Sequence, residues 1–282
     1  MRFKTSFLIG MSSLLGAWFY YSEDVVSLSN VDIIIKLITV FLLLFLSSGS
    51  LNLFNDIIDL KIDSELKPER ILPQGIVSIR NAYLFFIILV GACFILSFSL
   101  NIIIFVIYCI MVSIGIGYSV FLQNIPLIKN FVVALSISMS ILVGYLSLLV
   151  NLEFVLSGKI IIIFILSLLS ILSFELQKDI NDVEIDKKFN KNTFPVIFGK
   201  KRSSILIYTL DWILLIIFWL YLILINSNAN IYLLSILIVI QLYLLLSIRN
   251  IITDQSFTVL ERARIRIYAL FAITLLFLFT LH

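Results

Sequence analysis

Nine long apolar stretches recur along the chain, at about residues 5–21, 31–54, 82–99, 102–121, 131–150, 160–176, 205–225, 231–248 and 266–281. A helix rising 1.5 Å per residue needs about 20 such residues to cross the hydrocarbon of a bilayer. Inside lipid a chain must satisfy its own backbone polar groups, which leaves helices or closed barrels. These stretches lack the alternation of barrel strands, so they predict an all-α polytopic membrane protein with nine transmembrane helices. Composition agrees. The chain of 282 residues is 61% hydrophobic and 13% charged, against about 45–50% and about 25% in soluble domains. That excludes a water-soluble globule and a disordered chain. The first stretch lacks a small-residue cleavage site and is expected to be a membrane helix rather than a cleaved leader.

The few charges are sorted by position. With Arg2 and Lys4 on the cytoplasmic side, nine crossings put 18 of the 20 Lys and Arg on that side, leaving only Lys36 and Lys159 toward the other. The positive-inside rule therefore predicts a multi-pass protein of the cell membrane, with its N-terminus in the cytoplasm. The two longest connections, about 55–81 and 177–204, fall on the same side and carry most of the polar residues. The outer connections 97–101 and 226–230 are short. A net charge of +3 gives no sign of a nucleic-acid partner. Cys93 and Cys109 sit in apolar stretches without metal-ligand spacing, and the single histidine is His282. Histidine-based metal or acid–base chemistry is thereby excluded.

The two long connections open alike. Asn52, Asp56, Asp59 and Asp63 have the same spacing as Glu175, Asp179, Asp182 and Asp186, offset by 123 residues. Positions spaced by three and four share one face of a helix. Each segment is thus expected to present a column of carboxylates at the inner end of an apolar helix. Like charges stacked this way repel, and a cation would offset the repulsion. Carboxylate and amide oxygens without His or Cys suit a hard ion, Mg²⁺ or Ca²⁺. Mg²⁺ keeps few protein ligands and shares phosphate oxygens, so acids beside lysines and arginines suit Mg²⁺ bridging to a diphosphate.

At these residues the sequence resembles the UbiA superfamily of intramembrane prenyltransferases. Asn55, Asp56, Asp59 and Asp63 resemble the family's N-D-x-x-D-x-x-x-D motif, and Asp179, Asp182 and Asp186 its D-x-x-D-x-x-x-D. Lys67-Pro-Glu-Arg70-Ile-Leu-Pro73-Gln-Gly75 is similar to the stretch that follows the first motif in digeranylgeranylglyceryl phosphate synthases of this family. The segment from Glu175 to Asp186, followed by Thr193-Phe-Pro195 and Gly199-Lys-Lys201, is similar to their second motif region. The resemblance departs at two places. After Tyr118-Ser119 the family usually has a lysine four or five residues on, where this chain has Leu122 and Gln123; the nearest lysine is Lys129, directly before Asn130, where glycine is common in the family. Arg70 is followed by Ile71 rather than the common proline.

The resemblance implies one UbiA-type domain over residues 1–282, a helical bundle with a central chamber. It implies a Mg²⁺-dependent enzyme moving a prenyl group, geranylgeranyl in the similar subgroup, from a polyprenyl diphosphate to a lipophilic acceptor. The acceptor in that subgroup is a glycerol-phosphate ether lipid. Carried over, Asn55, Asp56, Asp59, Asp63, Asp179, Asp182 and Asp186 are the expected metal ligands. The Asp residues other than Asp56 are also the expected catalytic groups. Arg70, Lys178, Lys129 and Tyr118 are the expected contacts to prenyl diphosphate. Ionising an allylic diphosphate leaves a carbocation and a highly charged leaving group. Metal and fixed cations stabilise that charge, and a site within the membrane excludes water. Prenylation of an aromatic ring for quinone synthesis, or terpene cyclisation, would use the same metal half. A divalent-cation channel or transporter is the reading from a different class, with Asp211 as the clearest acid inside an apolar stretch.

Overall fold

The computed structural model describes residues 3–22, 29–149, 156–224 and 231–280. Arg2, His282 and the 226–230 connection lie outside the described residues. Helices account for almost all of the described chain. Nine are long: α1 (Phe3–Tyr21), α2 (Asn30–Ile58), α4 (Ile79–Leu100), α5 (Ile102–Val120), α6 (Ile128–Ser147), α7 (Gly158–Asn181), α10 (Lys200–Leu224), α11 (Ile231–Ile248) and α12 (Phe257–Thr280). Three are short: α3 (Leu60–Leu66), α8 (Val183–Lys188) and α9 (Phe194–Phe198). Seven stretches are long and apolar enough to cross a membrane: α2, α4, α5, α6, α7, α10 and Leu233–Ile252. The other two long helices, α1 and α12, are not among these; α12 carries Glu261, Arg262, Arg264 and Arg266 in its first half.

The helices run further into the polar connections than the apolar stretches indicate. Of the segments expected as loops, 177–204 is largely helical, and 55–81 is helical up to Leu66 apart from Asp59 and non-helical over 67–78. α2 continues to Ile58 and α7 to Asn181, carrying both acidic motifs on ordered backbone. Helix starts follow local chemistry. Ser29, Ser78 and Asn101 each accept a hydrogen bond from the backbone N–H three residues on, capping α2, α4 and α5.

The chain divides into two compact units, residues 1–123 with 139–160, and residues 124–138 with 161–282. In the first, α1 crosses the second half of α6 at very close range. A Cβ on Gly16 would lie 1.8 Å from the Ile141 carbonyl oxygen, and one on Gly144 1.9 Å from that of Ser13. Ser12 and Ser140 hydroxyls meet at 2.5 Å. Small residues let helix backbones approach this way in membranes, where packing and interhelical hydrogen bonds replace the hydrophobic drive. Ala17, Leu43, Cys93 and Ile104 fill the interior of this unit. In the second unit Leu166, Leu176, Ile180, Ile207 and Phe218 are buried. There the Trp219 indole donates to Gln241, whose amide donates to Thr274. Cys93 and Cys109 are free thiols, Cys93 buried.

Candidate active site

Each motif sits where a long helix breaks and a short one continues it, and the breaks match. Asp59 separates α2 from α3 with φ −84° and ψ 7°. Asp182 separates α7 from α8 with φ −91° and ψ 2°. Both lie in the bridge region, sparsely populated and frequent at active sites. The hydrogen bonds run on through each break: Asp59 N–H to Asn55 O at 2.9 Å and Asp63 N–H to Asp59 O at 2.9 Å. In the second motif Asp182 N–H reaches Lys178 O at 3.1 Å, and Asp186 N–H reaches Asp182 O at 2.8 Å. The backbone therefore stays helical through each break, with the spacing of the acids as read from the sequence, but their side chains turn to different partners. The repeat seen in the sequence is a repeat of backbone geometry.

The first motif divides between two neighbours. Asn55 donates its amide to Asp59 Oδ2 at 3.0 Å and accepts from the Ser119 hydroxyl at 3.4 Å. Gln123 donates to the Ser119 carbonyl at 2.8 Å and reaches Asp59 Oδ1 at 3.4 Å. Gln123 thus touches the motif as a neutral donor. Asp56 and Asp63 turn instead to Arg70, whose Nη1 lies 3.1 Å from Asp56 Oδ1 and also bonds Asp63 Oδ2. Arg70 is thus paired within the first motif. Asp63 is buried, Asp56 and Asp59 are partly so. Tyr118 is half-buried on α5, next to Ser119.

In the second motif Asp179 is held from the start of α6. Lys129 donates to its Oδ1 at 2.7 Å and Asn130 to its Oδ2 at 2.8 Å. Asn130 was not expected from the sequence; its signal was adjacency to Lys129 at the start of an apolar stretch. Leu127, just before, has φ 63°, a left-handed conformation unusual for a branched apolar residue. Such strain concentrates at functional sites. Asp186 is buried and its Oδ2 has no hydrogen-bond partner. Burial pushes its carboxyl above the usual carboxylate range; Asp179 adds to the rise, and Lys129 opposes it. Lys178 is paired with Glu175 at 3.4 Å, with its side chain largely exposed. Asp211 lies within α10, buried, and accepts from the Ser173 hydroxyl at 2.9 Å. Ser173 is six positions before Asp179, about 240° around α7, so Asp211 is bonded on a different face from the second motif.

Among the described residues no group of three or more Asp, Glu, Cys or His side chains forms a ready-made metal cage. The donor set is nevertheless right for Mg²⁺. It is all oxygen, and it contains a buried orphan in Asp186 Oδ2. Mg²⁺ takes one or two carboxylates and completes its shell with water and phosphate.

Comparison with known proteins decides the family. The profile of the UbiA prenyltransferase family matches residues 10–258. The chain belongs to the UbiA prenyltransferase family. It is therefore a multi-pass membrane enzyme that transfers prenyl groups. The digeranylgeranylglyceryl phosphate synthase of Methanosarcina mazei is 30% identical over 213 residues, covering 73% of this chain and 72% of that one. A solved structure described as digeranylgeranylglyceryl phosphate synthase superposes with a TM-score of 0.80 at 25% identity, over 99% of this chain and 95% of the other. A UbiA homolog from Archaeoglobus fulgidus, solved with GPP and Mg²⁺ bound, matches with a TM-score of 0.63 at 18% identity, over 96% of each chain. That likeness shows the UbiA fold.

Proposed function

We propose that this UbiA enzyme transfers a prenyl group, geranylgeranyl in our reading, from its diphosphate to a glycerol-phosphate ether lipid. The two acidic motifs, broken at equivalent aspartates, carry this reading, because each offers oxygen ligands beside fixed cations and amides. The relatives named digeranylgeranylglyceryl phosphate synthase support the acceptor class. The metal is Mg²⁺, as in the Archaeoglobus homolog. Asn55, Asp59 and Asp63 would hold metal at the first motif, and Asp179, Asp182 and Asp186 at the second. When bound, Mg²⁺ neutralises charge on the departing diphosphate.

The chain's own residues do the rest. Lys129 and Asn130 fix Asp179, Asn55 and Gln123 fix Asp59, and Arg70 fixes Asp56 and Asp63. Asp56 and Asp63 both anchor Arg70, and Asp56 would support the metal shell from beside Asn55. Lys129 adds positive charge where the leaving group develops negative charge. Lys178, paired with Glu175, supplies charge at longer range, and Tyr118 lies against the prenyl chain. One domain spans residues 1–282, and both motifs lie at the cytoplasmic side of the membrane.

The acceptor is tested by mass spectrometry of products from purified protein, Mg²⁺ and geranylgeranyl diphosphate. Candidate acceptors are glycerol-phosphate ether lipid, hydroxybenzoate, naphthoate and homogentisate. Product on the lipid is expected; product only on an aromatic ring would overturn the acceptor assignment.

A further inference from the structure

A cavity of about 540 Å³ lies in the first unit, between α2, α4 and the 67–77 segment that joins α3 to α4. Ligand pockets run about 300–1,000 Å³. Its lining changes character from one part to another. Asp56, Asp63, Glu69 and Arg70 supply a polar part, and Leu53, Phe85 and Leu89 an apolar part contributed by the membrane-spanning helices. The cavity is distinct from the Asn55–Asp59 pair, which bonds to Ser119 and Gln123 around α5.

The polar part is built. Arg70 Nη1 is fixed by Asp56 and Asp63, and Asp63 is buried. The guanidinium has five N–H donors in a rigid fork, and no described residue bonds to those on Nη2 and Nε. Glu69 beside it is exposed, and its carboxylate can accept hydrogen bonds. A phosphate matches the free guanidinium donors, and a hydroxyl matches the carboxylate. One molecule carrying both groups on adjacent carbons is a glycerol phosphate. The segment covering the cavity is tightly turned, with Gln74 N–H to Arg70 O at 3.0 Å and Ile76 N–H to Ile71 O at 3.2 Å. It exposes Ile71, Ile76 and Val77. Such a contiguous apolar surface belongs against lipid rather than water. The same segment also exposes Lys67 and Glu69, so the cover is apolar beside charged, as suits the headgroup layer where an ether lipid's polar head lies.

We propose that this cavity holds the lipid acceptor, with its glycerol-phosphate head at Glu69 and Arg70 and the start of its chain along Leu53, Phe85 and Leu89. The proposal rests on the lipid-acceptor reading above and adds where that lipid sits. A prenyl diphosphate matches the same walls less well, because it has no hydroxyl to give Glu69.

The test uses the full chain in phosphatidylcholine vesicles. Val77→Trp fills the cavity from its exposed cover, and Phe85→Ala widens it. Each should raise the acceptor KM by about tenfold or more, leaving the prenyl diphosphate KM within about twofold, as expected when only acceptor binding is lost. A rise in the diphosphate KM instead, or no change in either, overturns the proposal. Photolabelling makes the site testable apart from turnover. The probe is glycerol phosphate bearing one ether chain with a diazirine near its head. Label should fall within residues 49–89 and be displaced by unlabelled lipid. Label only elsewhere overturns the site. If the wild-type protein takes this label yet makes no lipid product, the functional reading fails and the site stands.

Discussion

The Lys129 ammonium lies 2.7 Å from the Asp179 carboxylate, and the neighbouring Asn130 amide takes the other oxygen of the same group at 2.8 Å. Consecutive residues at the start of one helix thus hold the first acid of the second motif by both its oxygens. Removing one partner of a buried pair leaves an uncompensated charge and costs about 3–5 kcal/mol; Lys129 keeps some solvent contact, so the lower end is expected. Lys129→Met should lower the melting temperature of the detergent-solubilised protein and cut turnover by at least about tenfold. Lys129→Arg should recover part of both. Unchanged turnover in Lys129→Met would remove this lysine from the site.

Asp186 gives a pH dependence with a definite sign. Its folded carboxyl binds a proton more tightly than an ordinary one because it is buried. The burial penalty is present at high pH and is relieved as pH falls through the raised value, so in the metal-free protein this group favours folding toward acid. Mg²⁺ bound at Asp186, as proposed above, would displace that proton. Calorimetric titration with Mg²⁺ in buffers of different ionisation enthalpy should therefore show proton release that grows as pH is lowered. Asp186→Asn should abolish that release. Release undiminished in the variant would place the titrating group elsewhere.

Arg70 joins two carboxylates seven residues apart through one nitrogen. Lysine presents a point charge without the planar fork. Arg70→Lys should loosen the 67–77 segment, seen as faster amide hydrogen exchange there, and lower kcat/KM by about tenfold. Exchange as slow as in the wild type would show that the segment is held by its own turns.

The α1–α6 crossing has no room for side chains at its closest points. Gly16→Val and Gly144→Val place carbon against backbone oxygen at under 2 Å. Overpacking costs about 1–3 kcal/mol even where side chains can yield, and backbone cannot. Both variants should lose the monodisperse peak in size-exclusion chromatography. Gly91, whose Cβ would meet nothing within 4 Å, is the control. Gly91→Ala should gain about 0.5–1 kcal/mol by helix propensity.

The long helices and the matched motifs were legible in the sequence because both depend on local pattern: apolar length for the helices, spacing of three and four for the acids. The 55–81 and 177–204 segments were read as loops because their polarity masks their helicity; α3, α8 and the ends of α2 and α7 are helical despite it. The break at Asp59, repeated at Asp182, left no trace in residue type, since the backbone bonds continue through it. The partners of the acids were the least legible. Arg70 and Lys129 were expected to contact diphosphate; the structure pairs both with motif acids. Asn130 meets Asp179 across 49 residues and Gln123 meets Asp59 across 64, and no local pattern encodes contacts at that separation.

The central claim is that the two motifs act through Mg²⁺ on a prenyl diphosphate. The most direct test measures diphosphate release from geranylgeranyl diphosphate with lipid acceptor, for wild type, Asp59→Ala and Asp182→Ala, with Mg²⁺ and with EDTA. The account predicts release only from wild type with Mg²⁺, each variant falling by at least about a hundredfold. Wild-type rates in either variant, or release that persists in EDTA, would contradict it.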